Sequence, residues 1–441
     1  MGITTQVNLV PGGISATFGS EVGVLVDFQG DYYVSSYDSE IQVYDHAGTW
    51  AGSYNLGVTG PRAVPYVASQ FRGRTSMIFT GDGSVSGGFH AIKVNKGGGI
   101  PYTLTLADSD AAPGPSESSP KRAQDGTLYI SDLAGTVHRY LYSGGTLTHL
   151  AALPLGHEVR GAIALYDADP QYHDEEVLVA TTDGHFYVLD HTLSTIIWSD
   201  TSGVGPVGSD NYYAGVTVAE RGSLAPVALL PIAGNAVGTF AANSGKVRAI
   251  DLMARAVTWE LTPSNTVPGQ HLIEGSVAVL FDQSGYGIPG TPGDDSSTGT
   301  IDDDTGGIVD GGTGNPFDGD DLGIPNDNPG TASLSNYHAT FASTDKFLYG
   351  VDIVTGLEIW NYPMTTSAFD APVVDYMNII YVGDGRSVLH AVEGKISCAG
   401  CPIWTDTSLA GGSSTDIVKL GVTNKYGLVV GTGTDAYALF Q

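Results

Sequence analysis

Apolar and polar positions alternate in short runs along this chain, and Asp, Thr and Gly break the runs. Alternation with a period of two predicts strands; the breakers predict tight turns, through side-chain capping and a left-handed backbone position. Residues 350–360, GVDIVTGLEIW, are the clearest case. A strand leads to Asp352, Thr355-Gly356 turns the chain, and a second strand leads to Trp360. The same eleven-residue unit recurs at 249–259, with Asp251 in the slot of Asp352, and at 188–198, with Asp190. Residues 391–404 hold a lengthened copy and 43–50 a shortened one. All five tryptophans, Trp50, Trp198, Trp259, Trp360 and Trp404, end such a unit. A large flat indole at a repeated place predicts packing between neighbouring sheets rather than chemistry.

The spacing predicts how many units there are. Trp50 and Trp198 stand 148 residues apart, room for three units; the two without tryptophan fall at 89–102 and 137–150. Trp259 and Trp360 are 101 apart, which becomes one unit once an insert at 282–330 is set aside. The last strands, at 427–440, begin an eighth unit that a strand near 4–10 would complete, leaving no free sheet edge. The expectation is a single all-β domain over 1–441. It is an eight-bladed β-propeller with four antiparallel strands per blade, closed by the two chain ends, and seven blades are the fallback count.

The pattern Ala/Gly-x-Asp-x-x-Thr-Gly-x-x-x-Trp at 350–360 resembles the tryptophan-docking motif of quinoprotein (PQQ-type) β-propellers. That resemblance implies blades interlocked by their tryptophans. It does not by itself imply a quinone, since one fold hosts many functions. Catalytic quinoproteins mostly carry two adjacent cysteines against the cofactor, and here Cys398 and Cys401 are two residues apart. Residues 129–140 (YISDLAGTVHRY) and 381–391 (YVGDGRSVLHA) also look like blade strands of type IV pilus tip-associated adhesins. That resemblance implies a modified propeller with a calcium loop.

Composition narrows the function. With 18 Lys and Arg against 47 Asp and Glu, the charge of −29 argues against a nucleic-acid partner, which needs clustered basic residues. No apolar run is long enough to span a membrane, and no secretion signal is legible at the start. The CAGC pair, Cys398 and Cys401, reads first as a loop disulfide, with a redox pair or half a metal site as alternatives. Nucleophile-elbow, P-loop and His-Glu-x-x-His motifs are absent. His90, His138, His185 and His390 recur near strand starts, where a packing role is expected before a ring of metal ligands.

The insert at 282–330 holds 11 Asp and 13 Gly but no Lys, Arg or Glu. Within it three segments share the spacing Asp-x-Asp/Ser-x-x-Gly-Ile. They begin at Asp282 (with Ser284 and Ile288), Asp302 (with Asp304 and Ile308) and Asp318 (with Asp320 and Ile324). An EF-hand-type calcium loop opens this way, with side-chain oxygens at positions 1 and 3, a Gly turn at 6 and a carbonyl at 7. Asp310 and Asn326 stand at position 9 of the second and third copies. Position 5 lacks an acid and no Glu stands at 12, so neighbouring Asp residues would have to complete any site. Calcium is the expected metal, and a PQQ cofactor is not expected.

These features favour a non-catalytic propeller, extracellular or at a surface, in adhesion or in the assembly of a pilus, fibre or virion. Its partners would be proteins or further copies. The alternative is a PQQ-dependent alcohol or sugar dehydrogenase.

Overall fold

The computed structural model describes residues 5–8, 23–26, 31–35, 40–57, 64–69, 74–167, 175–202, 214–221, 224–232, 245–264, 273, 275–280, 337–368, 371–374, 378–384, 388–394, 401–406, 417–422, 427–432 and 436–440. At 5–8, 23–26, 417–422, 427–432 and 436–440 the description is of the backbone.

Among these residues 32 strands form eight four-stranded antiparallel sheets, and none is helical. In chain order the first seven span 23–55, 66–110, 121–154, 164–200, 217–261, 278–363 and 373–406. Each runs in simple sequence order, first strand to fourth. The eighth joins the chain ends: Thr5–Asn8 pairs antiparallel with Ala436–Phe440, in the register Thr5 to Phe440. This all-β arrangement agrees with the alternation in the sequence and places the acidic insert between the first two strands of the sixth sheet.

The core lies between sheets. Six apolar clusters each join one sheet to the next, from the first–second pair to the sixth–seventh. Strand Glu175–Ala180 shows how: Val177 and Val179 face the third sheet, Leu178 and Ala180 the fifth, and all six residues are buried. With both faces covered, a central strand loses the apolar–polar alternation that a half-exposed strand displays. The fourth strands, such as Thr146–Pro154 and Ala256–Leu261, are mostly exposed or half-buried. The eighth sheet's Ile417–Val422 contacts Gly23–Val26 of the first sheet and Ile379–Gly383 of the seventh.

One irregularity repeats in all of the first seven sheets. The register between third and fourth strands slips at Val43/Tyr44, Ala91/Ile92, Arg139/Tyr140, Val188/Leu189, Ala249/Ile250, Gly350/Val351 and Ala391/Val392. Such a bulge adds local right-handed twist and re-aims the residues beside it. Here it lies on the third strand of each sheet, within a few residues of the third–fourth turn.

Candidate functional site

Strands in sequence order put the second–third turns and the crossovers between sheets at one end, and the third–fourth turns at the other. The two ends carry different repeated devices.

At the third–fourth turns an aspartate caps the chain. Oδ1 of Asp352 accepts from the amides of Val354 (2.8 Å) and Thr355 (2.9 Å). Oδ1 of Asp251 accepts from Met253 (3.0 Å) and Ala254 (2.7 Å), and Asp45 accepts from Ala47 (3.1 Å) and Thr49 (2.7 Å). Burial alone would raise the Asp190 carboxyl, but hydrogen bonds from Thr192, Thr195 and Ser194 hold it far below the ordinary range.

The preceding sheet's tryptophan seats on this turn. Trp259 lies against Gly356 and donates its Nε1–H to the carbonyl of Ile353 at 2.9 Å. Gly356 has φ +71°, and a Cβ there would come within 2.5 Å of the indole Cγ, so both backbone and space call for glycine. Trp198 meets Phe186 edge-on and packs on the cluster containing Ile250 and Leu252 of the next sheet. Trp360, 4% exposed, is buried with Ile380, Val382 and Val392, and its Nε1–H has no hydrogen-bond partner.

Trp50 corrects the sequence reading. Trp198, Trp259, Trp360 and Trp404 each pair with the first residue of the unit, namely Val188, Ala249, Gly350 and Ala391. In the first sheet Val43 pairs with Gly52, and Trp50 pairs with Tyr44 instead. Trp50 is therefore out of the docking register and remains 48% exposed. The shorter turn at 45–49 causes the offset. In the second sheet the docking position is Asp108, whose Oδ2 reaches the third sheet and accepts the amide of Leu147 at 2.8 Å. The side chain of Trp404 lies outside the described residues.

At the opposite end the histidines find a partner that the sequence reading did not assign. Nε2 of His90, His138 and His390 lies 2.8, 3.1 and 3.3 Å from an Oδ2 of Asp82, Asp132 and Asp384. The other oxygen of each aspartate caps its own second–third turn, through the amides of Ser84, Thr136 and Val388. Oδ2 also holds the arriving crossover: Gly114 N–H at 3.0 Å on Asp132, and Thr365 Oγ1–H at 2.6 Å on Asp384. Burial raises the carboxyls of Asp82 and Asp132, but the histidine and turn hydrogen bonds outweigh it and hold both below their ordinary value. The missed signal was an Asp six residues before a His in both adhesin-like segments, 129–140 and 381–391.

The fourth sheet departs from this scheme. Its turn carries Asp183 and His185, and the crossover from the third sheet brings His157 beside them. His157 Nδ1 lies 2.5 Å from Asp183 Oδ2, His185 Nδ1 lies 3.0 Å from Oδ1, and the two rings stack with centroids 4.2 Å apart. His157 was not singled out in the sequence, since only the crossover brings it close.

Cys401 is disulfide-bonded, and the chain's other cysteine is Cys398. The candidate calcium ligands Asp282, Ser284, Ile288, Asp302, Asp304, Ile308, Asp310, Asp318, Asp320, Ile324 and Asn326 lie outside the described residues, as does Cys398. No described helix is long and apolar enough to cross a membrane.

Radially repeated four-stranded sheets packed face to face define a β-propeller fold, and solved structures agree. The chain is similar to Sqt1 of Saccharomyces cerevisiae (TM-score 0.64, 9% identity, covering 100% of this chain and 99% of that one). It is also similar to BamB of Moraxella catarrhalis (TM-score 0.57, 13% identity, 100% and 99%). A third similar structure is the computationally designed protein Ika8 (TM-score 0.57, 12% identity, 98% and 99%). At these identities the likeness is one of fold. No family model matches the sequence, and no curated protein matches it significantly.

Proposed function

We propose that this chain is a closed eight-bladed propeller acting as a non-catalytic scaffold at a cell or particle surface. It would serve adhesion or assembly, with the 282–330 insert ordered by calcium. The observation that carries the reading is the use of acid and imidazole groups. Asp82–His90, Asp132–His138 and Asp384–His390 are spent on holding turns and crossovers together. A carboxylate held low by several donors is a poor general base at neutral pH.

Ring closure is supported by the Thr5–Asn8 pairing and by the eighth sheet's contacts with both the first and the seventh. The charge of −29 suits a basic protein surface as partner. Calcium is supported by the triple Asp-x-Asp/Ser-x-x-Gly-Ile spacing, since eleven clustered carboxylates repel one another until a cation intervenes.

The test has two arms. Calorimetry should show a higher melting temperature in calcium than in EGTA, and the triple change Asp302→Asn, Asp304→Asn, Asp310→Asn should remove the difference; equal melting temperatures in the wild type would overturn the calcium reading. Incubation with PQQ and calcium should give no bound chromophore and no dye-linked alcohol oxidation. A retained quinone spectrum would favour the dehydrogenase instead.

A further inference from the structure

We propose that His157, Asp183 and His185 form a binding site for one divalent transition-metal ion of the zinc class, stapling the crossover after the third sheet to the fourth sheet. One ligand atom from each residue lies within 4.8 Å of the other two. Two imidazole nitrogens and one carboxylate suit zinc or cobalt, whereas calcium takes oxygen ligands. Three protein ligands leave a position open to water. The side chains are half-buried, with His157 36% and Asp183 39% exposed, so an ion has a path in.

Register shows that this cluster is not another copy of the repeated Asp–His pair. In the third sheet Asp132 N bonds Thr136 O across the turn, and His138 pairs with Ile130. In the fourth sheet the same bond runs from Thr181 N to His185 O, and Tyr187 pairs with Val179. Thr181 and Tyr187 therefore occupy the places of the structural Asp and His. Asp183 and His185 are additional groups within the turn. The paired histidines use Nε2, while His185 faces its carboxylate with Nδ1.

The second observation is an unsatisfied atom. His185 Nδ1 is buried without a hydrogen-bond partner, 3.0 Å from Asp183 Oδ1. A buried polar atom without a partner calls for an explanation, and an ion between the two groups supplies it. The surroundings are built to hold the ligands still. Thr181 Oγ1–H donates to Asp183 Oδ1 at 2.6 Å, as an outer partner orients a ligating carboxylate. Thr182 N–H bonds the carbonyl of Glu158 at 2.8 Å, tying the crossover to the turn. A Cβ on Gly135 would lie 2.0 Å from the His157 carbonyl oxygen, so the neighbouring turn fixes that backbone.

The experiment is a cobalt(II) titration of the full chain in excess calcium, which occupies the oxygen sites of the acidic insert. A visible d–d absorption should saturate at one equivalent and vanish on adding zinc. His157→Ala and His185→Ala should each weaken binding by about tenfold or more, and the double variant should lose the band. Asp302→Asn should leave it unchanged. A wild type without the band, or a double variant that keeps it, overturns the proposal. The wild type gives an answer that needs no variant: zinc should shift the imidazole NMR resonances of two of the 11 histidines. A zinc complex that moves none of them also overturns it.

Discussion

Trp259 and Trp50 end similar stretches of sequence, yet their side chains have different work. Trp259 covers Gly356 and hydrogen-bonds Ile353, while Trp50 is half exposed and one register step away from the docking place. Trp259→Ala is expected to cost about 3 kcal/mol of stability, and Trp50→Ala under about 1, as read by chemical denaturation. Gly356→Ala should cost about 2 kcal/mol, from its left-handed backbone and the loss of room under the indole. A second residue-scale expectation concerns Glu175. Burial raises its carboxyl from 4.5 to about 7, the Gln124 amide offsetting only part of this. The folded state therefore holds the proton more tightly than the unfolded one. That stability is complete below the unfolded value and is lost as pH rises through about 7. Glu175→Gln should raise stability at pH 8 by about 2–3 kcal/mol and change it little at acid pH. An equal effect at both would refute the assignment.

Among the elements, the turns differ more than the strands. Three of the third–fourth turns announce themselves in sequence because capping aspartate and tryptophan keep one spacing, Asp190 to Trp198, Asp251 to Trp259 and Asp352 to Trp360. Second–third turns hide their pairing, because the turn length varies: His90 follows Asp82 by eight residues, while His138 follows Asp132 by six. Asp132 joins its turn, its strand and the incoming crossover, so Asp132→Ala should destabilise the fold by about 1–3 kcal/mol. The carboxyls of Asp82 and Asp132 are lower in the folded state than in the unfolded one. Their contribution is present above the ordinary carboxylate range and is lost as pH falls through the folded values. A melting-temperature profile of Asp132→Ala should accordingly converge on that of the wild type in acid. Profiles that stay parallel would mean the carboxylate charge has no part in it.

At the scale of the molecule the chain ends meet. Removing residues 1–8 would expose the edge of Ala436–Phe440 along its length. An uncovered strand edge invites pairing with another chain. The truncated protein is expected to melt earlier and to form dimers or aggregates in size-exclusion chromatography; a monomer of unchanged melting temperature would show that the pairing contributes nothing.

The sequence by itself determined what is local and periodic. Alternation, turn chemistry and tryptophan spacing specify four-stranded antiparallel units, because each follows from neighbours along the chain. The acid-rich insert is likewise a matter of composition. Tertiary structure alone decided which tryptophans dock: the sequence shows that the copy at 43–50 is short, but only the strand pairing shows that the short turn sets Trp50 opposite Tyr44 and outside the register of the other units. It alone paired histidines with aspartates across turns of unequal length. It alone carried His157 to Asp183 and His185, because a crossover between sheets closes a distance that no periodicity along the chain encodes.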